Sequence, residues 1–192
     1  QSKDLYVTDT GQNIPVIIAI DRMLITEKQF TQLPVKGNLV QPDPENDIIK
    51  ICIINRYHTS KPAIGFIKNF GLKRCAIAST VAHDSHNIIA VGDDDKLIAD
   101  AVNLLINSKG GLSAVSDVES KHISLPVAGL MSDQPVEIIG PAYEEISDFA
   151  KNHGSKLEAP FMTLSFMALL VIPKIKISDL GMFDAEAFKF YT

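Results

Sequence analysis

The sequence predicts an α+β fold of mostly antiparallel sheet, with two strand-strand-helix units whose helices pack on the sheet. Three features of the 192 residues carry that prediction. Apolar, β-branched runs recur through the first half and return near the end. Between them the order strand, strand, helix occurs twice in succession. The connections inside each strand pair are short, which favours antiparallel pairing over the long crossovers of a doubly wound parallel sheet.

Taken in order, Pro15-Val16-Ile17-Ile18-Ala19-Ile20-Asp21 reads as the first strand. Residues 30–47 hold Pro34, Gly37, Pro42 and Pro44 and read mostly as connection. Ile48 to Asn55 gives a second strand, and Ala63 to Phe70 a third that stops at Gly71. Cys75–Val81 and Asn87–Gly92 read as strands around a turn at His83–His86. Asp93-Asp94-Asp95 then opens a helix to about Asn107, its acids suited to the positive end of the helix dipole. Leu97, Ile98, Ala101, Leu104 and Leu105 fall on one face of it, and Gly110-Gly111 ends it. Leu112–Val118 and Lys121–Val127 repeat the strand pair, followed by a helix from about Pro135 to Asn152. Pro141 is expected to split that helix, because proline has no backbone donor. Phe161–Ile172 fits helix or strand equally by periodicity, and a short closing strand is expected near Lys174–Ile177.

Length suits one domain, 1–192, able to bury roughly 70% of its unfolded surface without covalent staples. Residues are 46% apolar and 21% charged, with a net charge of −5 and scattered lysines. Nucleic acid is a poor partner for such a surface, since phosphate binding needs concentrated Lys and Arg. No secretory pattern opens the chain. The longest apolar stretch, Ala159 to Pro173, is interrupted by Thr163 and Ser165 and falls short of the ~20 residues that cross a bilayer. Cys52 and Cys75 lie within strand-like apolar text, which points to buried free thiols in a reducing compartment such as the cytoplasm. Gln1 rather than Met stands first, so a chain cut from something longer is expected.

Chemistry concentrates in Thr80-Val81-Ala82-His83-Asp84-Ser85-His86-Asn87, set between apolar runs. A turn there could direct His83, His86 and Asp84 to one ion, but a metal site needs a further ligand, and His58, His122 and His153 are unplaced. Ser85 with its neighbours names a catalytic triad only by residue type, because adjacent residues rarely meet in triad geometry. The plain structural alternative is a turn held by Asp84, Ser85 and Asn87 bonding to backbone. Ser132 and Asp133 read as caps for the second helix or as a pocket edge. Lys109-Gly110-Gly111 lacks the phosphate-loop pattern and reads as a helix stop. Phe161, Met162, Phe166 and Met167 read as core or as a docking face for a neighbouring domain.

Several long segments resemble a known family. Gly65-Phe66-Ile67-Lys68-Asn69-Phe70-Gly71-Leu72-Lys73-Arg74 leads into Ala76-Ile77-Ala78-Ser79 and the histidine turn. Leu125 to Asp133, Pro160 to Phe166, and Val171-Ile172-Pro173 through Asp179 to Asp184 follow in order. Together they are similar to the C-terminal domain of bacterial and archaeal adenine deaminases of the amidohydrolase superfamily. The resemblance implies a hydrolase that converts adenine to hypoxanthine and ammonia in purine salvage, with manganese or iron activating a water. It also implies that the metals sit in an N-terminal (β/α) barrel of ~250 residues, for which this chain has no room. On that basis the chain itself is expected to hold no metal and to dock on such a barrel in the same or a separate chain; a homo-oligomer is compatible with the resemblance, but the sequence does not fix the oligomeric state. The candidate catalytic residues are His83, Asp84 and His86, and the candidate substrate-binding residues Ser85 and Asn87, in a turn aimed at the barrel. The alternative is a stand-alone, non-catalytic ligand- or metal-binding module or separate subunit.

Overall fold

The computed structural model describes residues 1–191. A 3-10 turn, Ser2–Asp4, precedes β1 (Val7–Thr8), β2 (Ile14–Ala19), β3 (Thr26–Thr31), β4 (Val35–Lys36) and β5 (Leu39–Val40). β6 (Ile48–Ile54) and β7 (Ala63–Lys68) follow. The first strand-strand-helix unit is β8 (Cys75–Ser79), β9 (Ile88–Gly92) and α1 (Asp95–Ser108). The second is β10 (Gly111–Ser116), β11 (Ser120–Ser124) and α2 (Val136–Asn152). The chain then forms α3 (Pro160–Phe166), β12 (Ile175–Ser178), β13 (Gly181–Asp184) and β14 (Lys189–Phe190).

Eight strands form one sheet in the order β11-β10-β8-β9-β6-β7-β2-β3. Every pairing in it is antiparallel except β2 with β7. The α+β class and both strand-strand-helix units are therefore as the sequence indicates. Both faces of the sheet are covered. On one, Ile51, Ile53, Ile77, Ile89 and Val91 pack with Phe149 of α2, Phe161 and Leu164 of α3, and Ile175 and Ile177 of β12. On the other, Cys52, Ala76, Ala78 and Ala90 meet Leu97, Ile98, Ala101 and Leu105 of α1. Burial on both sides explains why β6 reads as a continuous apolar run instead of an alternating one. The small sheet β1-β5-β4 lies nearby, with Leu33 and Val40 packing on Val16, Ile48 and Phe66.

Asp94 caps α1, accepting from the backbone N–H of Lys96 and Leu97 at 2.8 and 3.0 Å. The close fit of α1 on the sheet has a glycine at its centre. A Cβ on Gly92 would stand 2.7 Å from the Ala76 Cβ and 2.9 Å from Ile98 Cγ1. Gly92→Ala is accordingly expected to cost about 1–3 kcal/mol of stability by overpacking, read from the urea midpoint at unchanged slope.

The structure departs from the sequence-based expectations at several points, the short strands β1, β4 and β5 among them, and decides one that was open. Residues 26–31 are an edge strand, whereas 30–47 read as connection and 26–29 carried no assignment. α2 is not split: it runs through Pro141, where Glu137 and Pro141 face solvent and water can satisfy the carbonyl that proline leaves free. The 161–172 stretch resolves into a short helix followed by turns. β12 gains two further strands, β13 and β14, that the sequence reading did not contain. Among the described residues no helix is long and apolar enough to cross a membrane.

Candidate functional site at one end of the sheet

β8 leaves the sheet at Ser79 and β9 re-enters at Ile88, so residues 80–87 form a turn beyond the sheet's end. β6 ends on the same side, because Ile54 pairs with Ile88. The start of β10, the 125–133 segment and the C-terminal end of α3 arrive there too. Thr80 binds these parts together: its hydroxyl donates to the Gly129 carbonyl and accepts from the Gly111 N–H at 2.8 Å. Three of the family-like segments, 80–87, 125–133 and 160–166, thus meet in space, whereas 65–74 leads into β8 from the opposite end of the sheet.

Within the turn, the His83 N–H donates to the Ser165 carbonyl at 3.1 Å. The His83 ring lies 4.8 Å from Phe166, tilted by 33°, and 5.5 Å from the His86 ring, edge-on. His86 has a φ of +51°, and its N–H returns to the Ala82 carbonyl at 2.7 Å, which makes the turn tight. His86 Nδ1 is buried and has no hydrogen-bond partner among the described residues. Burial is the largest influence on its proton affinity and lowers its pKa; His83 and then Arg56 lower it further, while Asp84 opposes them. The protonated form of the imidazole is therefore disfavoured, and its Nδ1 is left without a partner.

Asp84 and Ser85 are exposed at the tip. Asn87 is buried and committed to the scaffold: its Oδ1 accepts from the Arg56 N–H at 3.3 Å and its Nδ2 donates to Ser85 Oγ at 3.2 Å. Of the three residues expected to bond the turn to backbone, only Asn87 is seen to do so, below a polar tip that carries the two histidines. Arg56 and Tyr57, which the sequence reading passed over, fasten it. Arg56 donates through Nη1 to the His86 carbonyl at 3.3 Å and through Nη2 to the Ala128 carbonyl at 3.0 Å. Tyr57 donates its hydroxyl to the Ser85 carbonyl at 2.9 Å. The available signal was polar text, Asn55-Arg56-Tyr57-His58, directly after an apolar strand. A cleft of about 590 Å³ adjoins them, lined among others by Arg56, Tyr57, His58, Thr80 and Lys109.

The remaining histidines lie apart from this pair. His122 Nε2 sits 3.0 Å from Ser108 Oγ; His153 bonds the Phe149 carbonyl at 2.8 Å and stacks on that ring. Among the described residues no three His, Cys, Asp or Glu side chains gather as a metal site. Cys52 and Cys75 are free, and burial pushes both thiols up to about 12. They carry no thiolate chemistry near neutrality. Ser132 and Asp133 do not cap α2; both accept from Gln134 instead.

The chain matches the family model described as "Adenine deaminase C-terminal domain" over residues 23–189. It is 43% identical over 189 residues to the adenine deaminase of Salinibacter ruber, covering 97% of this chain and 34% of that protein. The Sulfurovum sp. adenine deaminase is 48% identical over 186 residues, with 96% and 34% covered. That of Methanothermobacter thermautotrophicus is 47% identical over 176 residues, with 92% and 33% covered. The chain spans about a third of the length of these relatives. By family model and by extended identity to these enzymes, this chain belongs to the adenine deaminase C-terminal domain family.

Proposed function

We propose that this domain completes the substrate site of an adenine deaminase, presenting the turn between β8 and β9 to a reaction centre held by an amidohydrolase barrel in the same or a separate chain. The observation that carries this is the buried, unpartnered His86 Nδ1, flanked by His83 on Phe166. A buried polar atom without a partner costs free energy unless something supplies one, and a purine ring offers both donors and acceptors. The reaction is hydrolytic: water adds at the ring carbon bearing the amine, one of its protons passes to the amino group, and the exocyclic C–N bond breaks to release ammonia and leave hypoxanthine. The contribution of this chain is to shield the reacting face from bulk water and to hold a proton-accepting or proton-donating nitrogen beside it. Asp84 and Ser85 stand at the exposed tip as further candidate contacts, and Asn87 supports them from below. Manganese or iron belongs on this reading to the barrel. The buried free cysteines fit a cytoplasmic enzyme of purine salvage.

Two results test the reading. The isolated chain is expected to release no ammonia from adenine with added manganese or iron; turnover well above background would refute the division of labour. In a full-length relative that retains these residues, His83→Ala is expected to lower kcat/KM at least about tenfold, and His153→Ala far less. Equal, wild-type-like rates would remove the functional case for the turn.

A further inference from the structure

We propose that Arg56 is the positioning residue of the histidine turn, its guanidinium fixing where the His83–His86 pair stands. The proposal rests on the reading that this turn serves the reaction. Arg56 and Tyr57 leave the end of β6 and place four hydrogen bonds on the surrounding loops. Three go to Ser85, His86 and Asn87, and the fourth to Ala128. The two arms of one planar fork close the carbonyls of two separate segments, a geometry that arginine offers and lysine does not. The second segment is shaped for it. Gly129 has a φ of +74°, and a Cβ there would fall 2.8 Å from Arg56 Nη1 and nearer still to Nη2. No side chain at 129 leaves room for the guanidinium. Thr80, bonded to the Gly129 carbonyl, holds that segment against the root of the histidine turn.

The same group also shapes the electrostatics of the turn. Both arms end on neutral carbonyls, so its positive charge is not cancelled there. The ionisable groups facing His86 are His83 and Asp84 from its own turn and Arg56 from the end of β6, with the Tyr57 hydroxyl on the adjoining Ser85 carbonyl. Removing the arginine therefore both loosens the turn and takes away one of the charges that disfavours protonated His86.

Those two roles separate experimentally in a full-length relative that retains Arg56, His83 and Gly129. Arg56→Lys is expected to keep the charge and lose the fork: kcat falls roughly tenfold, KM changes little, and the acid limb of the pH–rate profile stays in place. Arg56→Ala is expected to lower kcat similarly and move that limb to higher pH, because His86 then protonates more readily. If Arg56→Ala does not fold, Arg56→Lys alone decides. Wild-type kcat in Arg56→Lys, or a folded Arg56→Ala with an unmoved acid limb, would overturn the proposal. His83→Ala in the same protein separates the failures. A loss in His83→Ala with wild-type behaviour at position 56 sinks only the arginine's role, whereas wild-type behaviour in all the variants sinks the role of the turn.

Discussion

Asp95→Ala is expected to destabilise the domain by about 3 kcal/mol, the lower end of the range for breaking a buried ion pair. Lys50 lies in the middle of β6 and is 4% exposed, a position that the neighbouring pattern fills with isoleucine. Its ammonium is 2.8 Å from both carboxylate oxygens of Asp95, in the first turn of α1, and 2.7 Å from the Leu5 carbonyl. Alanine at 95 leaves a buried charge with one neutral acceptor. The effect stays near the lower end because the Asp95 side chain is 40% exposed, so water can take part of its place. Lys50→Met added to Asp95→Ala is expected to recover most of the loss, since the pair as a whole returns little beyond its desolvation cost. Urea unfolding of the single and double variants measures both. A single-variant loss below about 1 kcal/mol would show that the pair does not secure α1 to the sheet.

Lys176→Met is expected to change stability by an amount that depends strongly on pH. The Lys176 side chain in β12 is fully buried and donates to the Leu24 and Phe166 carbonyls at 2.6 and 3.1 Å. Burial pushes its pKa from 10.5 down to about 8. Below pH 8 the folded and unfolded states are both protonated there, and the folded state bears the whole penalty of the buried charge. Between about 8 and 10.5 the folded lysine loses its proton while the unfolded one keeps it, so this site adds stability as pH rises. A shift of this size corresponds to roughly 3 kcal/mol. Methionine lacks the charge and also leaves two carbonyls without a donor. The stability of wild type relative to Lys176→Met should therefore climb by about 2–3 kcal/mol from pH 7 to pH 10. Parallel stability profiles would mean that the ammonium is solvated after all. Because the Phe166 carbonyl accepts from Lys176 and the Phe166 ring packs against His83, this buried amine is one residue removed from the candidate site.

What could be read from the sequence divides along physical lines. α1 was legible because its signals are local: Asp94 at the cap, a stripe of Leu and Ile, Gly110 after the stop. The histidine turn was legible because polar density between two apolar strands is unusual in itself. β3 was not, because Thr26-Glu27-Lys28-Gln29-Phe30-Thr31 has no clean alternation and only one neighbour in the sheet. Pro141 misled because its cost depends on whether the freed carbonyl faces water, which only the packing decides. Arg56 was passed over because a lone arginine after a strand carries no motif. Its meaning comes from the register that sets Ile54 opposite Ile88 and so brings residues 55–57 beside 85–87.

The fastening of β3 also governs how the chain emerges from a ribosome. Thr26 Oγ1 donates to the Ile175 carbonyl, the Thr26 N–H donates to the Pro173 carbonyl, the Lys174 N–H donates to the Thr26 carbonyl, and Lys28 reaches Asp184 at 3.0 Å. The first of these links joins residues 149 positions apart. At synthesis rates of roughly 5–20 residues per second, the hairpin waits on the order of ten seconds for the residues that lock it. Throughout that interval its outer edge is open to neighbouring nascent chains. The charges of Glu27 and Lys28, which blurred the strand's signature, are the kind of side chain that keeps such an edge from pairing wrongly.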